Sequence, residues 1–113
     1  MKLLIVGSRS ITEFDLTQHV PDDVELIISG GADGMDTVAE KYADKHRIDK
    51  LIMHPKYNLY KRGAPLKRNE QMVEICDAVL AVWDGQSHGT KYTLNYARKK
   101  NKKIIEIIQN KEV

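Results

Sequence analysis

Ala78-Val79-Leu80-Ala81-Val82-Trp83-Asp84-Gly85-Gln86-Ser87-His88-Gly89-Thr90 carries six apolar residues in an unbroken run, then a loop with two glycines and two hydroxyl side chains. A strand with one face in water alternates apolar and polar residues. An uninterrupted run is the pattern of a strand covered on both faces, as in a parallel sheet. Beyond the loop, Thr90 to Lys100 reads as a helix with Leu94 and Ala97 turned inward. A buried strand that ends in a glycine loop and opens into a helix is the building unit of an α/β domain.

The rest of the chain repeats that unit. Apolar runs recur at Leu3–Val6, Leu26–Ile28, Leu51–Met53 and Ile104–Ile108. The last is interrupted by Glu106 and predicts an edge strand. Between the second and third runs, Met35, Val38, Ala39, Tyr42 and Ala43 fall at i, i+3, i+4, i+7 and i+8, one face of a helix. Asn69, Met72, Val73 and Cys76 repeat the spacing ahead of the fourth run, with Pro65 suited to the first turn. A weaker helix is expected around Thr12 to His19, capped by Thr12 with Asp15. The order β-α-β-α-β-α-β-α-β specifies an α/β fold: a single Rossmann-like domain whose five-stranded parallel sheet has helices on both faces and strand order 3-2-1-4-5.

Composition sets the limits. A chain of 113 residues is the size of one domain, spanning 1–113, with room for one core. No apolar run approaches the roughly 20 residues that span a bilayer, and Met1-Lys2 leads straight into Leu3-Leu4-Ile5-Val6 without the pattern of a signal peptide. The single cysteine, Cys76, has no partner for an intramolecular disulfide, so a cytoplasmic protein is expected. The net charge of +2 is unevenly spread: residues 1–54 carry 6 basic and 10 acidic side chains, and residues 55–113 carry 12 and 6. Such asymmetry makes a local positive field for an anion.

Ligands of open parallel sheets bind beyond the carboxyl ends of the strands, where strand order reverses. Gly7-Ser8-Arg9 follows the first strand, Ser29-Gly30-Gly31-Ala32-Asp33-Gly34 the second, and Asp84 to Thr90 the fourth. All three loops face one edge. Glycine lets backbone N–H groups close on a phosphate, and a helix N-terminus adds its dipole and free donors. No G-x-G-x-x-G dinucleotide fingerprint and no Walker A loop is present, which argues against an NAD dehydrogenase and a P-loop NTPase. Between His54 and Ala64 lies a loop long for its position, with Tyr57, Tyr60, Lys61 and Arg62, and then Arg68 and Asn69 at the start of a helix. Aromatics beside basic groups suit a base or sugar above a bound phosphate.

Five segments in register, Gly7-Ser8-Arg9, Ser29-Gly30-Gly31-Ala32-x-Gly34-x-Asp36, Arg68-Asn69, Asp77-Ala78-Val79 and Trp83-Asp84-Gly85-x-Ser87-x-Gly89-Thr90, resemble the YspA-like branch of the SLOG superfamily. That superfamily groups the DNA-processing protein DprA with LOG-type phosphoribohydrolases. The resemblance implies a pocket for a nucleotide or nucleotide derivative, with Gly85, Ser87, Gly89 and Thr90 cradling its phosphate. Gly7, Ser8 and Arg9 would lie beside them, Gly30, Gly31 and Asp36 would wall the pocket, and Arg68 and Asn69 would reach in from their helix. It also implies a homodimer paired through helices flanking the phosphate loop.

The primary expectation is therefore binding of a nucleotide-derived small molecule through its phosphate, as in a sensor, with no cofactor and no metal. A second is hydrolysis of a nucleotide N-glycosidic bond, with Asp36, Asp84 and Arg68 as candidate catalytic residues. LOG enzymes follow their Gly-Thr with acidic residues, whereas this chain has Lys91-Tyr92-Thr93. A third is single-stranded nucleic-acid binding, against which the near-neutral charge speaks. Cys76 and Trp83 are expected in the core, and His46 and His54 have no metal-ligand spacing.

Overall fold

Each unbroken apolar run forms a strand in the computed structural model, which describes residues 1–109; residues 110–113 of the expected domain lie outside that description. The strands are β1 (Lys2–Gly7), β2 (Leu26–Ser29), β3 (Asp49–Ile52), β4 (Ala78–Trp83) and β5 (Lys103–Ile108). They make one parallel sheet in the order β3-β2-β1-β4-β5. The helices are α1 (Met35–Lys45), α2 (Tyr57–Tyr60), α3 (Ala64–Ile75) and α4 (His88–Lys99).

Alternate side chains of the central strands feed two cores. Leu3, Ile5, Ile27, Leu80 and Val82 pack beneath α1 and the β1–β2 connection. Leu4, Val6, Ile28, Val79 and Ala81 pack against Met72 and Val73 of α3 and Leu94 and Ala97 of α4. Chain direction across the sheet reverses at β1, and crossovers keep one hand, so connections before and after the reversal cover opposite faces. Cys76 and Trp83 are buried in the second core, and burial pushes the Cys76 thiol up to about 11. β5 is the half-exposed edge that Glu106 foretold.

Four expectations need correction. The Leu51–Met53 run does not make a strand covered on both faces: only Leu51 and Ile52 of it lie in β3, a largely exposed edge strand. No helix forms around Thr12 to His19: residues 8–25 run as irregular chain and turns. There the Asp15 carboxylate accepts the Thr17 N–H at 3.0 Å, a local bond that competes with helix. Ile11, Leu16, Val20 and Val24 still reach the core. The stretch from His54 to Ala64 is not a plain loop but holds α2 and a 3-10 turn over Lys61–Gly63. Because α3 starts at Ala64, Arg68 and Asn69 stand in its second turn, not its first.

Two glycines fix how closely elements approach. A Cβ at Gly7 would stand 2.0 Å from the Val82 carbonyl oxygen and 2.5 Å from Met35 Cγ. Gly34, at φ 76°, sits against the Arg9 backbone, where a Cβ would come within 2.4 Å of its carbonyl oxygen. The loop after β1 is thereby clamped between β4 and the start of α1.

Candidate functional site

The reversal of strand order leaves β1 and β4 as neighbours whose following loops part to opposite faces. A cavity of about 450 Å³ opens there, walled by the β1 loop, the first turns of α1 and α4, and the first half of α3.

One end of the cavity is built by what does not happen at α4. Ser87 is the N-cap residue, yet its hydroxyl makes no capping bond. The Ser87 hydroxyl donates instead to Asp84 and lies 3.1 Å from the Ser8 hydroxyl. Asp84 accepts the N–H groups of Gln86 and Ser87 at 2.8 and 3.0 Å, which holds its carboxyl below the usual carboxylate range. The first intrahelical bond runs from Lys91 to the Ser87 carbonyl. The N–H groups of His88, Gly89 and Thr90 thus lack intrahelical acceptors at the positive end of the helix dipole, and all three residues line the cavity. Nothing occupies the space above Gly89: the nearest atom to a Cβ there is Asn69 Nδ2 at 3.9 Å.

Arg68 organises the opposite wall. It is buried, its Nη1 donating to the Gly30 carbonyl and, at 3.1 Å, to the Met53 carbonyl. It therefore ties the ends of β2 and β3 to α3. Its Nε donates to Asn69 Oδ1 at 2.8 Å. Since guanidinium only donates, the acceptor must be the amide oxygen, and Nδ2 is left facing Gly89 and the cavity. Burial draws the Arg68 pKa down and Asp36 opposes that, but arginine keeps its charge in proteins.

Asp36 lies in the first turn of α1, 9% exposed. Its Oδ2 accepts the Ala32 N–H at 3.0 Å. Burial raises its carboxyl above the usual range, outweighing that hydrogen bond and the charges of Arg68 and Arg9. Among the described residues it is the one acidic residue on the cavity wall.

Of the residues expected at the site, Gly7, Ser8, Arg9, Asp36, Arg68, Asn69, Ser87, Gly89 and Thr90 line this cavity together. Gly30, Gly31 and Gly85 do not. Gly30 is filled from above by the Arg68 guanidinium, Gly31 lies against His54, and Gly85 faces outward near Ile108. Ser8 joins loops, its N–H bonded to the Val82 carbonyl and its hydroxyl accepting the Asp84 N–H. Asp84 caps its own turn and is absent from the wall, so Asp36 alone of the two candidate carboxylates faces the cavity. Ser10, Pro65, Leu66 and His88 line it without having been expected. Among the described residues no cluster of three His, Cys, Asp or Glu side chains could hold a metal ion, and no helix is long and apolar enough to cross a membrane.

The chain is 35% identical over 63 residues to an uncharacterized SPbeta prophage-derived protein, YoqJ, of Bacillus subtilis (strain 168). The match covers 55% of this chain and 37% of YoqJ, so the similar region is just over a third of that relative. No protein-family profile matches the chain, and no solved structure matches it.

Proposed function

We propose that this chain binds a nucleotide or nucleotide derivative through its phosphate, in the cavity between the β1 loop and the N-terminus of α4. The observation that carries this reading is the set of N–H groups at His88, Gly89 and Thr90, left without a side-chain cap and opening onto a cavity at the strand-order reversal. Arg9, the Asn69 amide and the Thr90 hydroxyl add donors to the same cavity. The volume falls in the range of about 300–1,000 Å³ usual for small-molecule sites. Likeness to the YspA-like branch of the SLOG superfamily supports the same ligand class, and a homodimer belongs with that likeness.

Mass spectrometry of small molecules released by heat from the purified protein tests the reading first, followed by calorimetric titration with nucleoside monophosphates, diphosphates and ADP-ribose. An intact nucleotide derivative is the expected find, whereas free base and ribose phosphate would assign cleavage, with Asp36 as its carboxylate. Gly89→Asp is the control. Its carboxylate would occupy the anion position itself, in open space and at a helix end that favours negative charge. The variant should melt no lower than the parent and lose at least about a hundredfold in affinity. A variant that still binds, or a parent that binds none of the panel at millimolar concentration, would remove the proposal.

A further inference from the structure

The cavity has two chemically unlike ends. Around α4 the wall offers donors: the N–H groups of His88, Gly89 and Thr90, and the Asn69 Nδ2. Across from them stands a carboxylate nine-tenths buried, Asp36, with Oδ2 held by the Ala32 N–H. Among the described residues its other oxygen has no hydrogen-bond donor, and it retains access to the cavity. A ligand that is anionic throughout would set like charge against that oxygen in a poorly hydrated place, where repulsion is least screened. A ligand that ends in a hydrogen-bond donor would satisfy it. The guanidinium of Arg68 flanks the carboxylate, both groups lying within about 3 Å of where a Cβ on Gly30 would stand, and Arg9 is close enough to act on it. One held cation, Arg68, and a second nearby, Arg9, make a neutral hydroxyl a better partner than an ammonium.

Resting on the phosphate reading, we infer that Asp36 is a specificity-determining residue, accepting a hydroxyl of the ligand and selecting a phosphorylated sugar over a bare phosphate or a diphosphate. Ligand orientation follows: the phosphate lies at α4 and a sugar hydroxyl at the start of α1. Arg68 is a positioning residue in this scheme, turning the Asn69 amide nitrogen toward the phosphate while its charge steers the Asp36 end toward neutral donors.

NMR titration of the full chain with methyl phosphate, ribose 5-phosphate, pyrophosphate and phosphoethanolamine tests the inference. The parent should bind ribose 5-phosphate about tenfold tighter than methyl phosphate, the worth of one hydrogen bond to a charged acceptor. Pyrophosphate, despite its extra charge, should bind no tighter than methyl phosphate, and phosphoethanolamine should show no advantage. In the near-isosteric Asp36→Asn the amide oxygen can still accept the Ala32 N–H, which turns the amide NH₂ toward the ligand. Preference for the sugar should then fall to within about threefold while pyrophosphate gains about tenfold. Unchanged preferences in the variant would overturn the role of Asp36 and leave phosphate binding standing. So would a parent that binds pyrophosphate or phosphoethanolamine best, a result that needs no variant. Failure of all four probes, methyl phosphate included, would overturn the phosphate reading and this inference together.

Discussion

Asp36 experiences opposing influences within a few ångströms: the Ala32 N–H, the Arg68 charge and the start of α1 favour the carboxylate, and burial disfavours it. Burial is the largest, so the folded-state pKa stands above the ordinary 3.8. The folded protein therefore holds this proton more tightly than the unfolded chain does. The resulting stability is fully present below 3.8 and lost as pH rises through the raised folded value. Asp36→Asn should consequently be more stable than the parent at pH 7, with the gap closing as pH falls toward 3.8. Thermal denaturation of both proteins from pH 3.5 to 8 reads this; a variant that melts lower at pH 7 would mean attraction to Arg68 outweighs burial. Asp36 was legible in the sequence as a pocket residue through the resemblance carried by Ser29-Gly30-Gly31-Ala32-x-Gly34-x-Asp36. Its isolation as the sole acid on the wall was not, because sequence spacing does not tell which carboxylates cap their own turns. Asp84 does so through Gln86 and Ser87. Composition marked Gly30 and Gly85 as backbone that a ligand could approach, yet Arg68 fills the space over one and the other points away. Which side of a turn a cavity lies on is a tertiary fact.

Elements with a clean period were readable; residues 8–25 and the short α2, which lack one, were not. Strands β1 and β4 and helices α1, α3 and α4 come from runs or spacings that admit one solution. Residues 8–25 bury Ile11, Leu16, Val20 and Val24 at intervals of five, four and four, near enough to helical spacing to mislead. The Asx-type bond at Asp15 and Pro21 keep the segment irregular. Packing between elements is most exacting where Gly7 brings β1 against β4 and α1. Gly7→Ala should cost about 3 kcal/mol, since the methyl would overlap a carbonyl oxygen that cannot swing aside. Gly63→Ala, with nothing within 4 Å, should be neutral or stabilising by about 0.5–1 kcal/mol. Urea denaturation of the pair decides: equal losses would show that backbone freedom, not close approach, governs both positions.

The molecule as a whole assembles its cavity from both halves of the chain, the acidic first and the basic second. Ser8 meets Ser87 across 79 positions. Leu66 of the cavity wall is 40% exposed, and Tyr57 and Leu59 of α2, which packs on α3, are 58% and 61% exposed. A proposed dimer would cover them, and sedimentation velocity at micromolar concentration should show it. Leu59→Asp should return it to monomer, and a parent that sediments as a monomer throughout would dismiss the pairing. The strand order also dictates a sequence of events during synthesis. β1 is made first but occupies the middle of the sheet, and β4, its second neighbour, begins at residue 78, 71 positions after β1 ends at residue 7. At ribosomal speeds of about 5–20 residues per second, that is a wait on the order of 4–14 s. Throughout it Leu3, Leu4, Ile5 and Val6 present a bare apolar edge to the cell, the kind of edge on which chains pair wrongly. Yield on overexpression should thus depend on translation rate and chaperone supply through that interval more than on the stability of the finished fold.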